Sequence, residues 1–148
     1  VLAIIAANDL VLGTGHLSAE EVLLVVREAT AHGVRHIVIT HAMNNPTRMT
    51  VAQMKEAASF GAYIEFCYLS TLGERPRASA AEMARAMREV GPAHSIMSTD
   101  LGQPNNPVHT DGFAMFIETM RREGFSDADL SLMTRDNPAS LLGLKPSS

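Results

Sequence analysis

The sequence predicts an α/β fold assembled from parallel βα units, and three observations carry that prediction. Short apolar runs of strand character alternate with amphipathic helices four times in succession. The helix caps at Ser18, Thr50, Ser79 and Asp111 lie 32, 29 and 32 residues apart, a period that matches one strand–helix unit with a right-handed crossover. A chain of 148 residues, 46% hydrophobic and 19% charged, has apolar material for one core, so a single domain over 1–148 is expected.

The elements follow in order. Residues 1–8 read as the end of an earlier helix, stopped at Asn8-Asp9. Four runs have strand character: Val11–Gly15, His36–Thr40, Ala62–Tyr68 and Ser95–Thr99. Between them the spacing predicts helices over 18–32, 50–60, 79–90 and 111–123, and two short ones over 126–134 and 137–142. Ser18 with Glu21, Thr50 with Gln53, Ser79 with Glu82 and Ser126 with Asp129 have the spacing of a capping box, in which two side chains satisfy backbone N–H groups reciprocally. Asp111 is expected to cap without a reciprocal partner, and Asn137 to cap the last helix with Pro138 at its first position. Met49 with Met54 and Phe125 with Leu130 stand where hydrophobic staples would. Gly33, Gly61, Gly91 and Gly124 fall where helices need a left-handed terminator.

Composition excludes several classes. Twelve Lys and Arg against sixteen Asp and Glu leave a net charge of −4, and without a basic stripe there is no footprint for nucleic acid. No apolar run approaches the roughly 18 residues of a membrane span. The single cysteine, Cys67, rules out an intramolecular disulfide framework and a Cys-based zinc knuckle, and a reducing, cytoplasmic setting is expected. The opening at Val1 has no signal-peptide pattern.

In parallel α/β folds, functional side chains gather where strands end and βα loops begin. The first strand run leads into His16, the second into His41 and the fourth into Asp100. A lone His in such a place is more often a hydrogen-bonded structural residue, and a lone Asp more often a helix cap. Three ligand-type residues on one rim are a different matter, and Asp100 is separated from the next helix by a Pro/Asn-rich loop. Two imidazoles and a carboxylate suit a divalent metal, with zinc first, in one or two copies, and with a position left for water. Such a metal lowers the pKa of bound water to about 7.

Glu65 lies inside the third strand between Ile64 and Phe66; if those face helices, it points inward and needs a partner. It is carried as a structural or substrate-binding group. Asn44, Gln103 and His109 stand in the loops behind His41 and Asp100 as substrate contacts, or as turn formers in the case of the amides. His32, His36 and His94 read as structural, and Cys67 as a packing residue.

At these residues the sequence resembles the amidohydrolase superfamily of metal-dependent TIM-barrel hydrolases, which includes the phosphotriesterase-like enzymes. In that family a His-x-His pair ends strand one, a Lys or Glu may end strand four, histidines end strands five and six, and an Asp ends strand eight. The order here, Ile39-Thr40-His41 after Thr14-Gly15-His16, a blank at Glu65-Phe66-Cys67, then Ser98-Thr99-Asp100, is similar to strands five to eight. Asp136-Asn137-Pro138-Ala139 with Leu141-Leu142-Gly143-Leu144 resembles the family's Asn-Pro-Ala and Leu-Gly ending.

The resemblance implies the C-terminal half of a (β/α)8 barrel. It places a metal on His16 and His41, and makes Asp100 a metal ligand and the base for a metal-activated water that attacks a small-molecule carbonyl or phosphoryl centre. No His-x-His is present and no strand-four ligand can be assigned. About 100 residues of a full barrel of about 250 would lie elsewhere. The expectation is therefore a fragment whose chemistry belongs to a longer enzyme, and which alone is inactive, or a half-barrel that pairs with a second copy as a homo-oligomer to cover its edges. Two alternatives stand beside the hydrolase: a metal-dependent decarboxylase on the same scaffold, and a non-catalytic α/β small-molecule-binding module with an open, flavodoxin-like sheet.

Overall fold

A computed structural model describes residues 1–73 and 76–144. Helix α1, Leu2–Ala7, precedes strand β1, Val11–Gly13. Three βα units follow in regular alternation: α2, Ala19–Ala31; β2, His36–Ile39; α3, Val51–Ser59; β3, Tyr63–Cys67; α4, Ala80–Val90; and β4, Ser95–Ser98. Helix α5, His109–Arg122, completes the fourth unit, and α6, Asp127–Ser131, continues through a π-helical turn, Leu132–Asp136, into α7, Asn137–Leu141.

All four strands are parallel and lie in the order β1-β2-β3-β4. Each new strand is added on the same side of the last, as in a barrel wall. A doubly wound sheet would reverse its order partway, so the open flavodoxin-like alternative does not describe this chain. The fold is α/β, a partial barrel of the TIM type.

Local chemistry explains the elements. All four expected capping boxes form: the side chains of Ser18, Thr50, Ser79 and Ser126 each accept from the backbone N–H three residues on, and their own backbone N–H groups donate to that residue's side chain. The staple residues Met49, Met54, Phe125 and Leu130 are all buried. One face of the sheet carries Ile37, Ile39, Ile64, Phe66 and Met97 into a core with Val22, Val26, Met54, Met83, Met87 and Phe116 from the helices. Burying side chains of this size contributes about 1.5–3 kcal/mol each before entropy is counted. The alternate residues, Val38, Glu65, Cys67 and Ser98, therefore lie on the other face, which would be the barrel interior.

Two expected helix starts differ. Helix α5 begins at His109 after Val108, which makes no side-chain cap, and Asp111 stands in the first turn instead. There its carboxylate still meets the positive end of the helix dipole. Asn137 does not cap either, because the preceding residues stay helical and Asp136 has φ −76 and ψ −41. Pro138 crowds the carbonyl four residues before it, and the widened turn lies over that stretch. The freed Asn137 amide donates instead to the carbonyls of Pro92 (2.8 Å) and Ser95 (2.7 Å), locking the C-terminal helices onto the start of β4.

Candidate functional site

The strands end one or two residues earlier than the sequence suggests, and the residues just past them build the site. Beyond Gly13 and Ile39 the ladder is continued by threonines: the Thr40 N–H donates to Thr14 Oγ1 (3.2 Å), and the Gly15 N–H donates to Thr40 Oγ1 (3.0 Å). Gly15 has φ +64, a left-handed turn that only glycine adopts without strain. This cross-tie holds the rim ends of β1 and β2 together and brings His16 and His41 into a stack, with ring centroids 4.7 Å apart and planes 24° apart.

His41 is fixed from the other side. Its backbone N–H donates to Glu65 Oε2 at 2.8 Å, and the next N–H, of Ala42, donates to the Glu65 carbonyl at 3.1 Å. Its φ is +33, a conformation that costs a non-glycine residue energy and persists only where neighbours enforce it. His41 is buried, whereas His16 is exposed. Among the described residues the buried His41 Nδ1 has no hydrogen-bond partner, a state that calls for an explanation in a polar cavity.

Asp100 also has positive φ, +53, two residues after the end of β4. Among the described residues nothing donates to its carboxylate, while its carbonyl accepts from the Gln103 side chain at 3.1 Å. Gly112 admits Leu101 against α5: a Cβ there would meet Leu101 Cδ1 at 2.1 Å. The Asp100 loop is thereby seated by a close helix contact.

His16, His41, Asn44, Asn45, Leu69, Leu72, Arg77 and Asp100 line one cavity of about 400 Å³ at the C-terminal ends of the strands. The three proposed ligands thus share a cavity. Among the described residues, no three His, Cys, Asp or Glu side chains are gathered as a ready metal cage. The arrangement is a histidine pair with a separate carboxylate on the same cavity.

Other expected site residues fall elsewhere. Glu65 does not line the cavity and acts through the His41 backbone. Gln103 turns back onto Asp100 and accepts from Asn106 at 2.7 Å. His109, the first residue of α5, borders an apolar cavity beside β4 with Ile96, Phe113 and Pro138. Asn44 reaches the site, together with its neighbour Asn45. Leu69, Leu72 and Arg77 were not expected; all follow β3, whose Cys67 end reads as a packing residue and so gave the following loop no ligand signal. An arginine in a βα loop is the signal that could have found the last of them.

Cys67 stays out of the chemistry. Burial pushes its thiol far up, with the Glu65 charge adding to the effect, and its Sγ lies 3.2 Å from Ser98 Oγ. A thiol held neutral is a poor nucleophile.

The architecture is that of a partial (β/α) barrel, and comparisons with known proteins agree on this fold. Two solved structures superpose on nearly the whole chain. One, an apo structure of an Agrobacterium tumefaciens protein, has a TM-score of 0.66 at 19% identity, covering 99% of this chain and 55% of that one. The other is an amidohydrolase from Burkholderia multivorans with bound HEPES, with a TM-score of 0.66 at 20% identity, covering 97% of this chain and 56% of that one. This chain therefore spans about half the length of either. Residues 1–65 match the model of a family of unknown function, DUF6282. No curated protein matches the sequence. Among the described residues, no helix is long and apolar enough to cross a membrane.

Proposed function

We propose that this chain forms the part of a metal-dependent hydrolase that carries His16, His41 and Asp100, acting on a small molecule at a carbonyl or phosphoryl centre. One observation carries the reading: two imidazoles are stacked on the wall of a polar cavity, and the buried one has a nitrogen without a partner among the described residues. The donor set suits a divalent cation, zinc before calcium or magnesium, because imidazole is a borderline-soft ligand. Such a cation supplies Lewis acidity and makes water nucleophilic near neutral pH.

The chain's own residues do the rest. Thr14, Thr40 and Glu65 hold the histidines in place. Asp100, whose carboxylate accepts from none of the described residues, takes the proton that the attacking water gives up. Leu69 and Leu72 line the cavity beside these groups and exclude solvent from one side. Further ligands come from strands that pair with the free sides of β1 and β4, supplied by the rest of a longer chain or by a second copy. The resemblance to strands five to eight of the amidohydrolases supports that arrangement, with the family's remaining ligands on its first strands.

The test is a zinc titration against a competing chelator. His16→Ala and His41→Ala are each expected to weaken binding at least about ten-fold, as loss of a ligand does. Zinc affinity unchanged in both variants would end the hydrolase reading.

A further inference from the structure

Inside the same cavity, the geometry points to a second function for its polar lining: Arg77 and the Asn44 amide form a binding site for an oxyanion group of the substrate, a carboxylate or a phosphoryl group, and Ser70 positions both. This rests on reading the cavity as an active site.

The argument starts from Ser70, which is 1% exposed and does not line the cavity. Its hydroxyl donates to Asn44 Oδ1 at 2.6 Å. That bond occupies the oxygen of the amide and leaves the two N–H donors of Nδ2 as the groups Asn44 can offer a ligand. The Asn44 backbone is pinned as well, with its N–H donating to the His41 carbonyl at 2.8 Å and its own carbonyl accepting from the Arg48 N–H at 2.9 Å. The carbonyl of Ser70 accepts from the N–H groups of Arg77 (2.8 Å) and Ala78 (3.1 Å). One buried serine therefore ties the loop after β2 to the return of the loop after β3, and sets two cavity-lining donors by opposite ends of itself.

Among the described residues no carboxylate lies within 4.0 Å of the Arg77 guanidinium, although most of the described arginines are paired. It also borders a groove between α3 and α4, but Glu82 there is engaged by the N–H and hydroxyl of Ser79, both at 2.8 Å. A fixed-charge planar fork that shares a cavity with a preoriented amide is a donor set for an oxyanion, which it can hold with two parallel bonds. The residues assigned to bond-breaking, the histidine pair and Asp100, line the same 400 Å³. A small anion held at Arg77 thus presents the rest of its molecule to them.

The probes are inorganic phosphate and acetate, titrated separately into isotope-labelled protein with a chelator present, and read on the side-chain resonances of Arg77 and Asn44. Saturable shifts of both are expected, with affinity reduced at least ten-fold in Arg77→Gln and several-fold in Ser70→Ala, and restored by Ser70→Thr. The tighter of the two probes identifies the substrate's group as phosphoryl or carboxylate. Arg77 is exposed, so its variant folds whatever becomes of Ser70→Ala. Phosphate and acetate binding that is unchanged in Arg77→Gln, or shifts that leave both side chains still, would overturn the inference. Because the chelator removes metal, this result is independent of whether the histidines bind zinc.

Discussion

Replacing Glu65 tests whether one carboxylate holds His41 in its strained position. In Glu65→Leu the His41 N–H loses its acceptor at 2.8 Å inside a residue that is 6% exposed. A buried donor left unpaired costs about 1–3 kcal/mol. The φ of +33 stores strain of a similar order, about 1–3 kcal/mol, that the remaining contacts must then hold alone. A net loss of about 2 kcal/mol is expected. With a urea slope of about 2 kcal/mol/M, the unfolding midpoint should fall by about 1 M at unchanged slope. Glu65→Gln keeps an oxygen in place, loses only the charge assistance, and should fall by less than about 0.5 M. Zinc affinity should follow the same order, wild type above Gln above Leu, since His41 is steered through its backbone. If Leu leaves the midpoint within about 0.2 M of wild type, or Gln is as damaging as Leu, Glu65 does not position His41.

Asn137→Ala removes two bonds to the carbonyls of Pro92 and Ser95; it should cost about 2–4 kcal/mol in denaturant unfolding, and a loss below about 0.5 kcal/mol, typical of a surface change, would show that the C-terminal helices are held by other contacts. The Cys67 thiol is raised from an ordinary 9.0 by burial, so above that pH the unfolded chain releases a proton that the folded chain keeps. Its contribution is complete below pH 9 and is lost as the pH rises, so stability should decline on the alkaline side, and Cys67→Ser should flatten that decline in unfolding curves taken from pH 8 to 11. An identical decline in the variant would assign it to other groups.

What the sequence made legible was local. A capping box needs only residues three apart, and all four formed; the strand runs and the order of the units needed only alternation and period. His16, His41 and Asp100 could be singled out because each directly follows a strand-like run of the sequence, and parallel strands bring their ends to one rim. What escaped depends on paths that no local pattern encodes. Arg77 reaches the cavity because Ser70 turns its loop back, ten residues after Cys67 ends β3. Asn137 looked like a cap from its neighbours, but a widened helical turn carried the helix through it. Glu65 was read correctly as inward-facing, yet its partner, a backbone N–H at the end of the neighbouring strand, became visible only with the register of the sheet.

The most direct measurement of the metal reading is an anomalous-scattering map from crystals of the protein grown with zinc, collected above and below the zinc edge. The account predicts a peak within about 2.0–2.1 Å of a ring nitrogen of both His16 and His41, on the cavity that Asp100 shares. A map whose zinc lies away from both imidazoles, or that shows none at full occupancy of the crystallisation zinc, would contradict it.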